Sequence, residues 1–373
     1  DALAASAVAR ISEFANQHLS NTAWAVAVQG CLNLPLMSAI ASASVKLCHA
    51  FDAQGLANTA WAFASLKVDD QPLFAAISAR ARDLILARSR TVSGEGELRS
   101  LVFSTLAVSW ALAFLSHLHA DLSSTLQSCL QALGQKMDRA HWRPPSTAPP
   151  DGQQQDTVPV TEGVLPEILI SRPGMIVVHK PPGWEVDSVA NDNDAKSLSL
   201  FLQEHFALEE CPVLHSSSFG FGFVHRLDVA SSGLVLVATT FQGLFSLQWQ
   251  KNLYEISREY QVVSYHLEPL LRRTVDARVS ARGIKVSRTL TEETGKPAAS
   301  HLRTVAHLQG GAAPEFRYCI IVIRIHTGRR HQIRAHTRSI GHPTACDGWY
   351  APSAVYITST SDQSGAPPTR AWV

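Results

Sequence analysis

The chain has 373 residues, 46% hydrophobic and 17% charged, with a formal net charge of +1. That length allows two or three domains with real cores, and the apolar content excludes a disordered chain. The near-zero net charge hides two cationic clusters that suit a polyanion, Arg272, Arg273, Arg278, Arg282, Lys285 and Arg288, then Arg317, Arg324, Arg329, Arg330, Arg334 and Arg338.

A repeat opens the chain. Residues 14–50 and 51–87 align without a gap at a period of 37, and 15 of the 37 positions are identical. Asn21-Thr22-Ala23-Trp24-Ala25 falls on Asn58-Thr59-Ala60-Trp61-Ala62, and Trp110-Ala111 hints at a third copy near Leu106–Leu115. Each copy is rich in Ala and Leu, with Pro35 or Pro72 midway, where proline starts a second helix in its first turn. This pattern predicts helix–turn–helix units that bury their apolar faces only by stacking on one another. Trp24 and Trp61, flanked by small residues, are expected to be core rings; base stacking on an exposed ring is the alternative. The Asn-Thr-Ala-Trp-Ala units resemble the degenerate helical repeats, related to octotricopeptide arrays, of organellar RNA-binding proteins.

From Arg143 to Pro166 the composition turns to proline and glutamine, which reads as a linker. Beyond it the periodicity changes. Met175–Val178, Leu234–Val237, Tyr260–Tyr265 and Tyr318–Ile325 read as strands, and Phe241–Leu253 and His331–Ile340 as helices. Mixed elements without βαβ alternation predict an α+β fold. Composition thus divides the chain into a helical-repeat region 1–142, a linker 143–165, a catalytic domain 166–350 and a low-complexity tail 351–373. The linker leads us to expect a catalytic half whose core does not rest on the repeats.

Four segments of this half stand in a telling order. They are His179-Lys180-Pro181-Pro182-Gly183, then His225-Arg226-Leu227-Asp228 running to Leu234, then Arg258-Glu259-Tyr260, then His326-Thr327-Gly328-Arg329-Arg330-His331-Gln332-Ile333-Arg334, with Asp347 and Tyr350 following. Together they resemble the RluA-type RNA pseudouridine synthases. The resemblance implies an α+β pseudouridine synthase fold, with a mixed, mainly antiparallel sheet and flanking helices behind the all-α solenoid-like region. It also implies that Asp228 is the catalytic aspartate, that Tyr260 lies against the target base, and that an arginine of the Thr-Gly-Arg segment pairs with Asp228.

The chemistry suits those residue types. Pseudouridine formation breaks the bond from ribose C1′ to uracil N1, turns the base and rejoins it through C5, so no cofactor is needed. One carboxylate could attack C1′ or remove the 2′ proton, after the uridine has flipped out of its stack. A neighbouring guanidinium would offset the burial that favours the neutral acid. If the helix after Gly328 extends back one residue, Arg329 falls near the inward face of Ile333, His336 and Ile340, and Arg334 is the second choice. Arg330, Arg334 and Arg338 form an i, i+4, i+8 stripe suited to phosphates. Lys180, His225 and Arg226 complete the expected RNA contacts.

Some features depart from the family or exclude other chemistry. Ser231 stands where the family usually has Thr, and Cys346 stands where a Gly usually precedes the aspartate. A final strand region is not found after Tyr350. No second acid accompanies Asp228 as a glycoside hydrolase would require. The runner-up reading is a non-catalytic RNA-binding protein on a decayed synthase domain. Six cysteines without a CxxC pair give neither a disulfide framework nor a zinc site, and His326, His331 and His336 are too far apart in helical phase to share a metal. We expect RNA as partner, a reducing compartment, no metal, no membrane span and a monomer. The sequence does not choose among chloroplast, mitochondrion, cytoplasm and nucleus.

Overall fold

The computed structural model describes residues 2–141, 164–187, 196–267, 269–270, 272–282, 288–291, 295–309 and 317–351. Nearly all of the expected linker and the tail beyond residue 351 lie outside them, as does Lys285.

Seven α-helices precede the first strand among the described residues: α1 Ala2–Ala9, α2 Asn16–Gln29, α3 Leu34–Lys46, α4 Ala53–Leu66, α5 Gln71–Thr91, α6 Glu95–Phe114 and α7 Ala120–His141. α2 and α4 begin and end 37 residues apart, and the capping chemistry repeats with them. Gly30 and Lys67, at equivalent positions, close their helices in the left-handed region, with φ of 68° and 57°. Asn33 and Asp70 each accept a backbone N–H three residues on, at 3.0 Å from Leu36 and 2.9 Å from Leu73. Proline follows each cap in the first turn, where its missing N–H costs nothing.

The tryptophans differ from expectation. Trp24 is 47% exposed and Trp61 is half-buried, while Ala23, Ala60 and Ala64 are fully buried. The small side chains let the helices close on each other, which leaves the large rings at the rim. A second difference concerns α6, which is long and apolar enough to cross a membrane by length and composition; more than half of its apolar window is buried inside the protein.

The remaining elements are β1 Glu167–Arg172, β2 Met175–Lys180, β3 Trp184–Glu185, β4 Lys196–Ser197, α8 Leu198–His205, β5 Gly233–Ala238, α9 Phe241–Asn252, β6 Arg258–Tyr265, β7 Arg272–Asp276, β8 Val279–Arg282, β9 Arg288–Thr291, β10 Ala299–Gln309, β11 Arg317–Ile325 and α10 Gln332–Ser339. An all-α region thus precedes an α+β region, as the change in periodicity implied. Each strand and helix expected from sequence is present to within about two residues.

Two compact units emerge, and they do not follow chain order. The first holds Asp1–Arg90, Phe103–Leu126 and Asn252–Val373; the second holds Thr91–Val102 and Gln127–Lys251. In the first, β6-β11-β10-β7 form an antiparallel sheet. Its core is Val275, Leu302, Cys319, Ile321, Ile323 and Ile325, onto which Ile333 and Ile340 pack from α10 and its end. Helical-region residues share this unit's contacts. Lys67 Nζ lies 3.2 Å from Asp276, and Arg278 donates to Ser65 O at 3.3 Å.

In the second unit, β1-β2-β5 form an antiparallel sheet with Val178 opposite Val235. Phe219, Phe241 and Phe245 pack edge-to-face or tilted beside it. The last turns of α7 belong here too. Asp138 accepts the N–H groups of Phe241 and Gln242 at 2.7 and 3.0 Å and so caps the start of α9. The separation of repeats from synthase core expected at the linker is therefore not how the described residues cluster. Local composition marks where a chain changes character, whereas a compact unit is set by which surfaces bury each other.

Candidate active site

Asp228 sits on a loop that local chemistry fixes from two sides. Ser231 N–H donates to Asp228 O at 3.0 Å, closing a turn just before β5. On the other side, Gly183 N–H donates to Val229 O at 2.8 Å, and Gly183 needs its left-handed φ of 85° to present that group. Lys180 completes the brace. Its Nζ donates to Pro181 O at 3.0 Å, Trp184 O at 2.9 Å and Val229 O at 3.2 Å. Burial pulls the Lys180 ammonium down to about 8, and the Asp228 carboxylate opposes that shift. Asp228 itself is half-buried.

These contacts correct the expected role of Lys180. With its side chain fully buried, it reaches no RNA phosphate. His225 is also turned inward, its Nε2 accepting Leu236 N–H at 3.2 Å. Arg226 stays exposed and pairs with Asp187 at 2.9 Å. Trp184 packs with 8% exposure and donates Nε1–H to Val164 O.

In the first unit, Tyr260 stands on β6 opposite Ile323 and packs half-buried on the sheet core. Arg329 does not lie on the following helix. α10 begins at Gln332, and His331 is left-handed with φ of 52°, so the helical phase expected for Arg329, and for the stripe from Arg330, does not apply. Gln332 explains the loop's shape. Its fully internal amide oxygen accepts Thr327 Oγ1 at 2.8 Å and Arg329 N–H at 3.0 Å, while its nitrogen donates to Ala299 O and Ser300 Oγ. Arg329 Nε then donates to Pro297 O at 3.0 Å.

Arg258 crosses under the same loop, donating to His326 O at 3.2 Å, and a Cβ on Gly328 would meet its Nη1 at 2.5 Å. Burial lowers the ionisation of both guanidiniums; Tyr260 and Tyr254 oppose the shift at Arg258, while at Arg329 Tyr254 opposes it and Arg258 adds to it. Both guanidiniums thus hold the loop from inside, Arg258 through His326 O and Arg329 through Pro297 O. Arg334, expected on a phosphate stripe, is instead half-buried and held by Asp347 in a two-pronged ion pair of 2.6 and 2.7 Å, with the Tyr350 ring centre 4.6 Å from its guanidinium. Arg330 and Arg338 are exposed. His336 is buried, donating from Nε2 to Ala277 O and accepting Ser300 Oγ at Nδ1, and burial pushes its ionisation down. Among the described residues no cluster of His, Cys, Asp and Glu could hold a metal.

Residues 174–339 match the family model for RNA pseudouridylate synthase, a span that runs from the start of β2 to the end of α10 and includes Asp228, Tyr260 and Arg329. This segment is similar to the RNA pseudouridylate synthases. A ribosomal large subunit pseudouridine synthase D from Nitrosomonas europaea is 32% identical over 190 residues, covering 51% of this chain and 51% of that protein. The one from Yersinia pestis is 30% identical over 184 residues, covering 49% and 52%. The chain spans about half the length of these curated relatives. A solved structure, Human RNA Pseudouridylate Synthase Domain Containing 1, is 21% identical with a TM-score of 0.38, covering 50% of this chain and 70% of that one.

Within the synthase segment, Asp228, Lys180, His225 and Arg226 fall in the second unit, and Tyr260, Arg329, Arg330, Arg334 and Arg338 in the first. Sequence reasoning missed Gln332 and Arg258 as shaping residues. Both lie inside quoted motifs, but only hydrogen-bond partners distant in sequence reveal their work.

Proposed function

We propose that this chain isomerises uridine to pseudouridine in RNA, with Asp228 as its catalytic carboxylate, Tyr260 against the flipped base, Arg329 holding negative charge at the site, and no cofactor. The observation that carries the reading is the family match over 174–339, within which Asp228 occupies a loop braced by Lys180 and Gly183. A fixed carboxylate supports the reaction because attack on C1′ or removal of the 2′ proton each needs one oxygen held against one face of the ribose. Of the expected RNA contacts, Arg330 and Arg338 are exposed and suited to phosphates, and Arg226 is exposed beside Asp187. Large-subunit ribosomal RNA is the first substrate to test, because the similar proteins are ribosomal large subunit pseudouridine synthases; transfer and organellar RNA follow.

The test is Asp228→Asn in the full chain. The amide keeps the shape but neither attacks nor takes a proton, so pseudouridine formation should vanish while fold and RNA affinity persist. Turnover above about a thousandth of wild type would remove Asp228 from the role. A wild type that binds RNA without modifying any uridine would favour the decayed-synthase reading.

A further inference from the structure

Trp110, the tryptophan of the weak third repeat, sits beside the site loop. Its Nε1–H donates to Tyr254 Oη at 3.1 Å, and its own ring stacks on Phe114 at 5.2 Å. The Tyr254 ring lies flat on His326, with centroids 3.8 Å apart and planes 11° from parallel. His326 opens the loop that carries Arg329; its N–H donates to Ala299 O at 3.0 Å, and its carbonyl accepts Arg258. One turn earlier on α6, Leu106 O accepts Asn252 Nδ2 at 2.9 Å, tying the end of α9 to the same helix. All of these residues belong to the first unit.

Tyr254 also carries a left-handed backbone, with φ of 62°. For a bulky residue with a Cβ this conformation is unfavourable, and it persists only where the surroundings over-determine it. The Trp110 N–H on one end and the His326 ring on one face are such constraints. Burial raises the Tyr254 hydroxyl, so it stays neutral and accepts the Trp110 proton.

We propose that Trp110 is a positioning residue that acts through Tyr254 and His326 to set the loop carrying Arg329, which makes the helical region part of the catalytic scaffold. The proposal rests on the pseudouridine synthase reading only for its consequence in rate; its structural content stands apart from activity.

The test uses the full chain with Trp110→Phe, Tyr254→Phe and the double variant. Amide hydrogen exchange is followed across residues 326–331 beside single-turnover pseudouridine formation and RNA affinity. Each single variant should speed exchange in that loop about fivefold, the loss expected for one hydrogen bond. Each should slow the single-turnover rate about tenfold with affinity unchanged. The double variant should be no worse than either single, because both remove one interaction. Exchange unchanged in the loop, exchange raised evenly through the protein, or additive losses in the double variant would each overturn the proposal. Tyr254→Phe keeps both rings, so it decides the matter should Trp110→Phe fail to fold. If wild type makes no pseudouridine, the functional reading fails while loop exchange still judges the positioning role.

Discussion

Alternation along β2 turns Lys180 to the same face as Ile176 and Val178, and that face is the core. Its ammonium survives there by donating to three carbonyls, one of them adjacent to Asp228. Lys180→Met would strand those carbonyls and should cost about 2 kcal/mol in denaturant unfolding. The slope of RNA affinity against salt should not change, because no phosphate contact is lost. A pH dependence follows. The folded chain releases the Lys180 proton near 8 and the unfolded chain near 10.5, so the unfolded chain binds more protons between these values. Stability from this group therefore rises with pH across that window, by roughly 3 kcal/mol at most, and the gap between wild type and Lys180→Met should widen from pH 7.5 to 10. Cys346 gives a second case. It holds φ of 58°, the region where glycine is at ease, at the position where the family usually has Gly. Cys346→Gly should raise stability by about 1 kcal/mol in the same assay.

The start of α9 is set by a residue over a hundred positions earlier. Asp138 on α7 accepts its first two free N–H groups, and Gly134, one turn before, leaves no room for a side chain because a Cβ there would overlap the backbone of Gln242. Asp138→Ala should lower stability by about 1–2 kcal/mol through the lost cap. Gly134→Ala should cost about as much or more, since two helix backbones must separate, even though alanine is the better helix former. Thermal unfolding of both variants checks the pair; a Gly134→Ala protein more stable than wild type would show that α7 and α9 are not in contact there. At α10 the lesson runs the other way. Periodicity found the helix, but its first residue depended on the Gln332 amide, which holds Thr327 and Arg329 in a loop.

Removing residues 1–142 would take away the Asp138 cap, the Trp110 bond to Tyr254 and the Lys67 pair with Asp276. The fragment 151–373 is therefore expected to be poorly soluble or to unfold at a clearly lower temperature than the whole chain. A cooperative, fully active fragment would show that these contacts are dispensable. Activity of the full chain should withstand dialysis against EDTA, since the reaction as proposed uses a carboxylate and guanidiniums alone; loss restored by added metal would expose a missed site. What the sequence by itself determined was the 37-residue helical unit, the change to mixed strands and helices, and the synthase motifs around Asp228, Tyr260 and Arg329. Each of these is written in local periodicity, capping residues or a short motif, so neighbours in sequence suffice to read it. Tertiary structure alone decided that Lys180 and Arg334 face inward, that Trp24 is left at a rim, and that helices of the repeat region share compact units with synthase strands. Those outcomes depend on partners far along the chain, such as Asp347 for Arg334 and Phe241 for Asp138, and burial is settled by packing between elements that no local pattern records.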